Sequence, residues 1–236
     1  MGSTWDWQVF LKDTGGDQTY LQWLISAWGW TLSVSGLALI VALVLGSLMG
    51  ILRTTPSKLL VFIGNAWTEL FRNIPLLVQL FLWYHVLPSI FLGLRAVPSF
   101  ILVVFALGFF TSSRVSEQVK AGIQALPKGQ RYAGLAMGLT LPQTYRYVLL
   151  PMAFRIVIPP LTSESMNIVK NSSVAFAVSV AELTMFALQA SEETSRGIEI
   201  YLAVTALYFV SAFAINRVAL FIEHRVQIPG MIGGGR

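Results

Sequence analysis

The chain has 236 residues, 55% of them apolar and 11% charged, with a mean hydropathy of +0.68. An ordinary soluble domain carries roughly a quarter charged residues, so a water-soluble globule is excluded as the default and lipid must act as part of the solvent. Disorder, a collagen repeat and a disulfide scaffold fall as well, because hydrophobicity is high, the 19 glycines follow no period and cysteine is absent. The net charge of +5 is scattered over segments that flank apolar runs; this is a signature of membrane topology and argues against nucleic acid as a partner.

In chain order, the N-terminus carries Asp6, Asp13 and Asp17 without a basic n-region or a compact apolar core, so no removable signal peptide is expected. No charge occurs from Gln18 to Leu52. Tyr20, Trp23, Trp28 and Trp30 suit the membrane interface, which places residues 1–30 outside and at the surface and starts the first span near Thr31. Gly46 and Gly50 lie in that span at GxxxG spacing, which fits either close helix approach or plain local packing. A helix from about Lys58 should bend before Pro75. Charge-free runs from Asn73 to Leu94, Ala96 to Ser113 and Ile200 to Asn216 supply further spans. Between Met152 and Ala190 the apolar sequence is interrupted by Pro159, Pro160, Glu164, Lys170 and Glu182, and a span broken at mid-depth is expected there.

Positive charges decide the orientation. Arg53, Lys58, Arg114, Lys120, Lys128, Arg131, Arg146, Arg155, Arg217, Arg225 and Arg236 fall on one side, against Lys12, Arg95 and Arg196 on the other. The expected chain is therefore all-α, a single polytopic membrane domain over residues 1–236 with about five spans, its N-terminus outside and its C-terminus inside. An odd number of spans and the lack of an internal repeat weigh against two inverted halves. The longest inside segment, residues 127–151, reads as two short helices, with Gly138 ending the first and Pro142 in the first turn of the second.

That segment resembles the coupling loop of importer permeases of ATP-binding-cassette systems, written Glu-Ala-Ala, three residues, Gly, nine residues, Ile, one residue, Leu-Pro. Tyr132, Ala133 and Gly134, then Gly138, Val148, Leu150 and Pro151 stand at those spacings, with Tyr132, Gly134 and Val148 replacing the usual acid, alanine and isoleucine. The stretches ELFRNIPLLVQ from Glu69 and TSESMNIVKNSS from Thr162 look like the polar-amino-acid branch, and the wording is most similar to glutamate/aspartate permease subunits. The resemblance implies a type I importer fold in a bacterial inner membrane, with the N-terminus periplasmic and the C-terminus cytoplasmic. It also implies two ATPase subunits docked on the loop, a second permease chain and a periplasmic binding protein. The chain has no phosphate-loop motif, so ATP and Mg are expected on the partner and no cofactor on this chain.

The implied substrate path draws on charges that the bilayer makes costly, on the order of 3 kcal/mol each. Glu164, Asn167 and Asn171 share a helix face with Lys170 at its margin and Ser172 next to it. Glu69, Arg72 and Asn73 stand at i, i+3 and i+4 before Pro75, with local ion pairing as the alternative to a place on the path; Arg114 and Glu117, at i and i+3 near the cytoplasmic end, read first as an inexpensive charged stripe, with an inner gate held by their pair as the alternative. For an acidic substrate the expected cationic contacts are Lys170, Arg72 and Arg114, in that order. A structural ion pair between helices is the alternative for Glu164. His85 and His224 stand apart from other ligand types, so no metal site is expected. Two rival functions are an ion-coupled carrier and a docking subunit whose homologous partner holds the substrate.

Overall fold

A computed structural model of the chain describes residues 5–226. Its helices are α1 (Tyr20–Leu52), α2 (Lys58–Asn73), α3 (Leu76–Phe81), α4 (Leu87–Ile90), α5 (Ser99–Gln124), α6 (Lys128–Ala136), α7 (Leu141–Thr144), α8 (Leu150–Asn171), α9 (Leu183–Thr194) and α10 (Gly197–Val226). π-helical turns at Leu82–Val86 and Tyr145–Leu149 join α3 to α4 and α7 to α8. Three helices, α1, α5 and α10, are long and apolar enough to cross a bilayer, and the number rises to as many as five when each of the bent pairs Lys58–Asn73 with Leu76–Ile90 and Leu141–Val178 with Leu183–Thr194 is counted as one span.

One expectation is corrected here and another is located more finely. The first helix begins at Tyr20, so the aromatic residues through Trp30 are turns of the spanning helix itself. At about 50 Å for its 33 residues, this helix is longer than the roughly 30 Å hydrocarbon layer and reaches through the interface. The expected broken span is found, and its break lies away from the prolines: Pro159 and Pro160 lie inside α8, which runs on to Asn171 and continues as the 3-10 turns Ser172–Val178. Proline's fixed φ is itself helical, so the missing donors do not oblige the helix to end. The break falls at Ser179, in the left-handed region at φ 61°, and the chain restarts at Glu182 after a bend of 54°.

The described residues divide into two compact units. The first comprises residues 5–40, Pro75–Gly108 and Asn167–Phe213. Its core joins Tyr20, Leu24 and Ala27 to Leu183, Phe186 and Ala190 of α9 and to Ile200 and Val204 of α10. Trp23 meets Phe186 edge to face at 5.1 Å, and the Trp28 indole N–H donates to Ser211 Oγ at 2.8 Å. The fully buried Glu182 caps α9: its carboxylate accepts from the backbone N–H groups of Thr184 and Met185 and from the Tyr208 hydroxyl at 2.7 Å. A carboxylate at a helix N-terminus satisfies donors that would otherwise be orphaned. Lys12 donates to Asp6 at 2.9 Å, and the Asp6 N–H donates to Glu199 at 2.9 Å, tying the turn Trp7–Leu11 to α10.

The second unit comprises Val41–Ile74, Phe109–Met166 and residues 214–226. A Cβ on Gly46 would stand 2.5 Å from Val115 Cβ and 2.7 Å from the Ser112 carbonyl, and one on Gly50 would stand 2.7 Å from Val119 Cβ. The GxxxG pair is thus the seam on which α1 meets α5, and small residues are what permit that approach. Gly122 repeats the device one helix on, where a Cβ would collide with Val157 Cγ2 of α8.

Replacing Gly46 with isoleucine forces Val115 and the Ser112 backbone apart, and is expected to cost about 1–3 kcal/mol. A lowered thermal midpoint of the purified protein in detergent checks it. The Lys12 hydrogen bond, with Arg196 nearby, holds the Asp6 carboxyl below the usual carboxylate range. A depressed folded-state value stabilises at neutral pH and is lost only as pH falls through it. Hydrogen exchange at Val9 and Phe10 should therefore stay slow through weakly acidic pH and quicken below the ordinary carboxylate range.

Candidate functional site

The second unit gathers a charge network whose centre the sequence expectations did not include. Arg53, one residue past α1, has a side chain only 4% exposed. Its Nε donates to Asn65 Oδ1 at 2.8 Å, its Nη1 to Ser116 Oγ at 3.1 Å and its Nη2 to Glu117 Oε1 at 2.8 Å. Gly64 makes room for it, since a Cβ there would stand 2.6 Å from Arg53 Cγ. Glu117 also accepts from Arg72 at 3.1 Å, and Arg72 in turn donates to Glu69 at 2.7 Å, while Asn73 Nδ2 donates to the other Glu69 oxygen at 2.9 Å. Two guanidiniums and two carboxylates thus neutralise one another across α1, α2 and α5.

The Arg114 to Glu117 pairing is therefore not formed. Glu117 is drawn to two guanidiniums on other segments, and Arg114 lies over the Phe110 ring, 5.3 Å from its centroid, and 3.8 Å from the Glu164 carboxylate. Glu164 is buried and also accepts from Gln118 Nε2 at 3.3 Å, so it joins an interhelical pair between α8 and α5. In the first unit, Asn167 and Asn171 are half-buried and Lys170 is exposed, with no ion-pair partner found among the described residues. Ser172 is fully buried and donates to the Val169 carbonyl at 2.7 Å, a bond that satisfies its own helix. No group of three His, Asp or Glu among the described residues is arranged to hold a metal ion.

The loop is built as its residues require. At the end of α6, Gly138 has φ +84°, Leu139 N–H reaches the Gly134 carbonyl at 3.2 Å and Gly138 N–H the Leu135 carbonyl at 3.0 Å, which is the paired closure of a Schellman cap. Gly134 is buried against Thr144, where a Cβ would stand 2.8 Å from Cγ2. Gln143 Oε1 accepts from Thr140 N–H at 2.8 Å, and Pro142 lies in the first turn of α7. Tyr132, Ala133, Leu135 and Met137 are left exposed, with Met137 at 73%. Leu150 is half-buried and Pro151 exposed where α8 begins. Tyr145, on the π-helical turn between α7 and α8, donates to the Thr54 carbonyl at 2.7 Å, so the loop is bonded to the residue next to Arg53.

A family model described as the binding-protein-dependent transport system inner membrane component matches residues 42–228. The chain belongs to this family. It is 42% identical over 245 residues to the glutamate/aspartate import permease protein of Escherichia coli strain K12, covering 99% of this chain and 100% of that one. It is 36% identical over 197 residues to a probable glutamine ABC transporter permease of Bacillus subtilis strain 168, covering 84% and 90% of the two chains. Among solved structures, an amino acid ABC transporter with histidines matches at TM-score 0.76 and 30% identity, over 87% of this chain and 95% of that one. The inward-facing methionine transporter MetNI matches at TM-score 0.77 and 22% identity, which shows the shared fold. This inner membrane component is thus an all-α, multi-pass permease of the type I importer fold.

Neither Arg53 nor Tyr145 stood among the expected site residues. Arg53 counted only as a topology charge; the signal that singles it out is its place at the end of a charge-free run, followed directly by the Thr-Thr-Pro turn that faces it toward the next helix. Removing its guanidinium leaves Glu117 with Arg72 alone. Because Glu117 is 36% exposed, Arg53→Ala is expected to cost about 1–3 kcal/mol, below the cost of breaking a fully buried pair. A thermal-unfolding cycle with Glu117→Ala checks it through a positive coupling energy.

Proposed function

We propose that the chain is one of two permease subunits of an ATP-driven importer for glutamate and aspartate. The second subunit is identical or homologous, a periplasmic binding protein delivers the substrate, and two ATPases dock on the loop at Tyr132, Ala133, Gly138 and Leu150. The N-terminus is then periplasmic and the C-terminus cytoplasmic. The single observation that carries this reading is the 42% identity, over the whole length of both chains, to a permease named for glutamate and aspartate import. The exposed loop face from Tyr132 to Met137 supports the docking role, since apolar side chains at 66% and 73% exposure suit a protein partner. ATP and Mg are bound by the partner.

For an anionic substrate the path must present positive charge that is not already spent. Arg72 faces Glu69 and Glu117, and Arg114 faces Glu164, whereas Lys170 has no such partner among the described residues. This supports Lys170 as the first cationic contact, ahead of Arg72 and Arg114, with Asn167 and Asn171 on its helix. A second reading, in which this chain docks the ATPase while its partner chain holds the substrate, draws support from the same carboxylates opposite Arg72 and Arg114.

Uptake of labelled glutamate into vesicles separates the two readings. Aspartate is expected to compete fully, and glutamine, histidine and arginine weakly; Lys170→Met should lower uptake about tenfold or more, the loss of one charged hydrogen bond. Unchanged uptake and selectivity in that variant move the substrate to the partner chain, and equal competition by glutamine or arginine overturns the substrate class. Gly138→Val tests the loop separately. A side chain there has open space, so only the left-handed backbone opposes it, at about 1–3 kcal/mol. Membrane insertion should persist while ATPase co-purification and uptake fall, and Gly129→Ala, also in open space, should change neither.

A further inference from the structure

Beside the coupling loop lies a cavity of about 400 Å³ that no part of the transport reading uses. Arg53, Lys128 and Arg131 line one part of it and Ile123, Leu126 and Leu149 another, and no acidic residue contributes. Arg53 is neutralised by Glu117, but Lys128 and Arg131 have no ion-pair partner among the described residues. The Arg131 Nε is buried without a hydrogen-bond acceptor on this chain. A buried guanidinium donor left unpaired is costly; a group entering the cavity can satisfy it, and an oxyanion does so with a charge-assisted bond stronger than a neutral one. Tyr145 and Thr54 stand at the same cavity, their hydroxyl protons donated to the Thr54 and Ile51 carbonyls, so the cations are its available donors.

We infer that this cavity binds a phosphate group, and that its source is the headgroup of an anionic phospholipid. The lining is amphiphilic, with cations beside aliphatic side chains at the ends of the membrane helices α1 and α5, where headgroups lie. A small hydrated anion has no use for the aliphatic half. Anionic lipids concentrate in the cytoplasmic leaflet and are held by basic pockets at helix ends. The inference rests on the orientation proposed above, which puts the loop on that side. A lipid seated there touches Arg131 of α6 and Tyr145 at once, and so braces the loop against Thr54.

The test is lipid retention by native mass spectrometry, on the protein purified with its partner chains, delipidated and then titrated with phosphatidylglycerol or phosphatidylcholine. Phosphatidylglycerol is expected to be retained selectively. Lys128→Ala with Arg131→Ala should weaken that retention on the order of tenfold, Lys128→Ala alone should weaken it partly, and Arg131→Lys should preserve most of it. Equal retention in wild type and the double variant overturns the inference, as does binding of inorganic phosphate without preference for phosphatidylglycerol. Loss of ATPase co-purification with lipid retention unchanged also overturns it, by making the cavity a seat for the ATPase. Retention is read without transport, so its failure is distinct from a failure of the uptake experiment.

Discussion

A guanidinium that ends a membrane helix must be surrounded by acceptors or stay in water, and Arg53 is surrounded. It is 7% exposed, and its donors are taken by an amide on α2, a hydroxyl on α5 and the Glu117 carboxylate. Because a buried ion without partners costs several kcal/mol, α1, α2 and α5 are held to the one arrangement in which all three acceptors reach it. Much else follows from that placement. Gly64 has to be bare to admit the Arg53 stem, Glu117 is committed to Arg53 and Arg72, and Arg114 is released toward Glu164.

The glycines do complementary work. Gly46 and Gly50 bring α1 and α5 to backbone contact, and Gly122 does the same for α5 and α8. In lipid there is little hydrophobic gain from joining helices, so close packing and interhelical hydrogen bonds carry the association. The seam and the Arg53 network lie on the same pair of helices: Ser116, which accepts from Arg53, also presents the carbonyl that approaches Gly50. The tyrosine after α7 extends this body to the loop, since Tyr145 bonds the chain next to Arg53.

Particular residues show how far sequence alone carries. Leu150 and Pro151 were marked only by the family resemblance, whereas the two-helix form of the loop was legible, because Gly138 and Pro142 act through local backbone rules that need no partner. The five-span architecture followed from charge spacing for the same reason. That the fourth span is broken was legible from its polar interruptions, but which of them marks the break was not: the helix passes through the two adjacent prolines and stops at a serine, where Thr31 and Tyr208 from other helices hold the restart at Glu182 and Leu183. Arg114 and Glu117 stand at ideal helical spacing, but Glu117 finds two guanidiniums on other segments.

The sequence by itself determined the solvent, the all-α class, the number of spans and the turn chemistry of the loop. Each depends on composition, on runs of about twenty residues or on the φ of single residues. Only the tertiary structure decided which charges pair, which glycines are seams and where the broken helix breaks. Those depend on groups far apart in the chain, such as Arg53 and Glu117 or Thr31 and the Leu183 backbone, and pairing at that range is settled by which partners a packed bilayer protein can bring within hydrogen-bond reach.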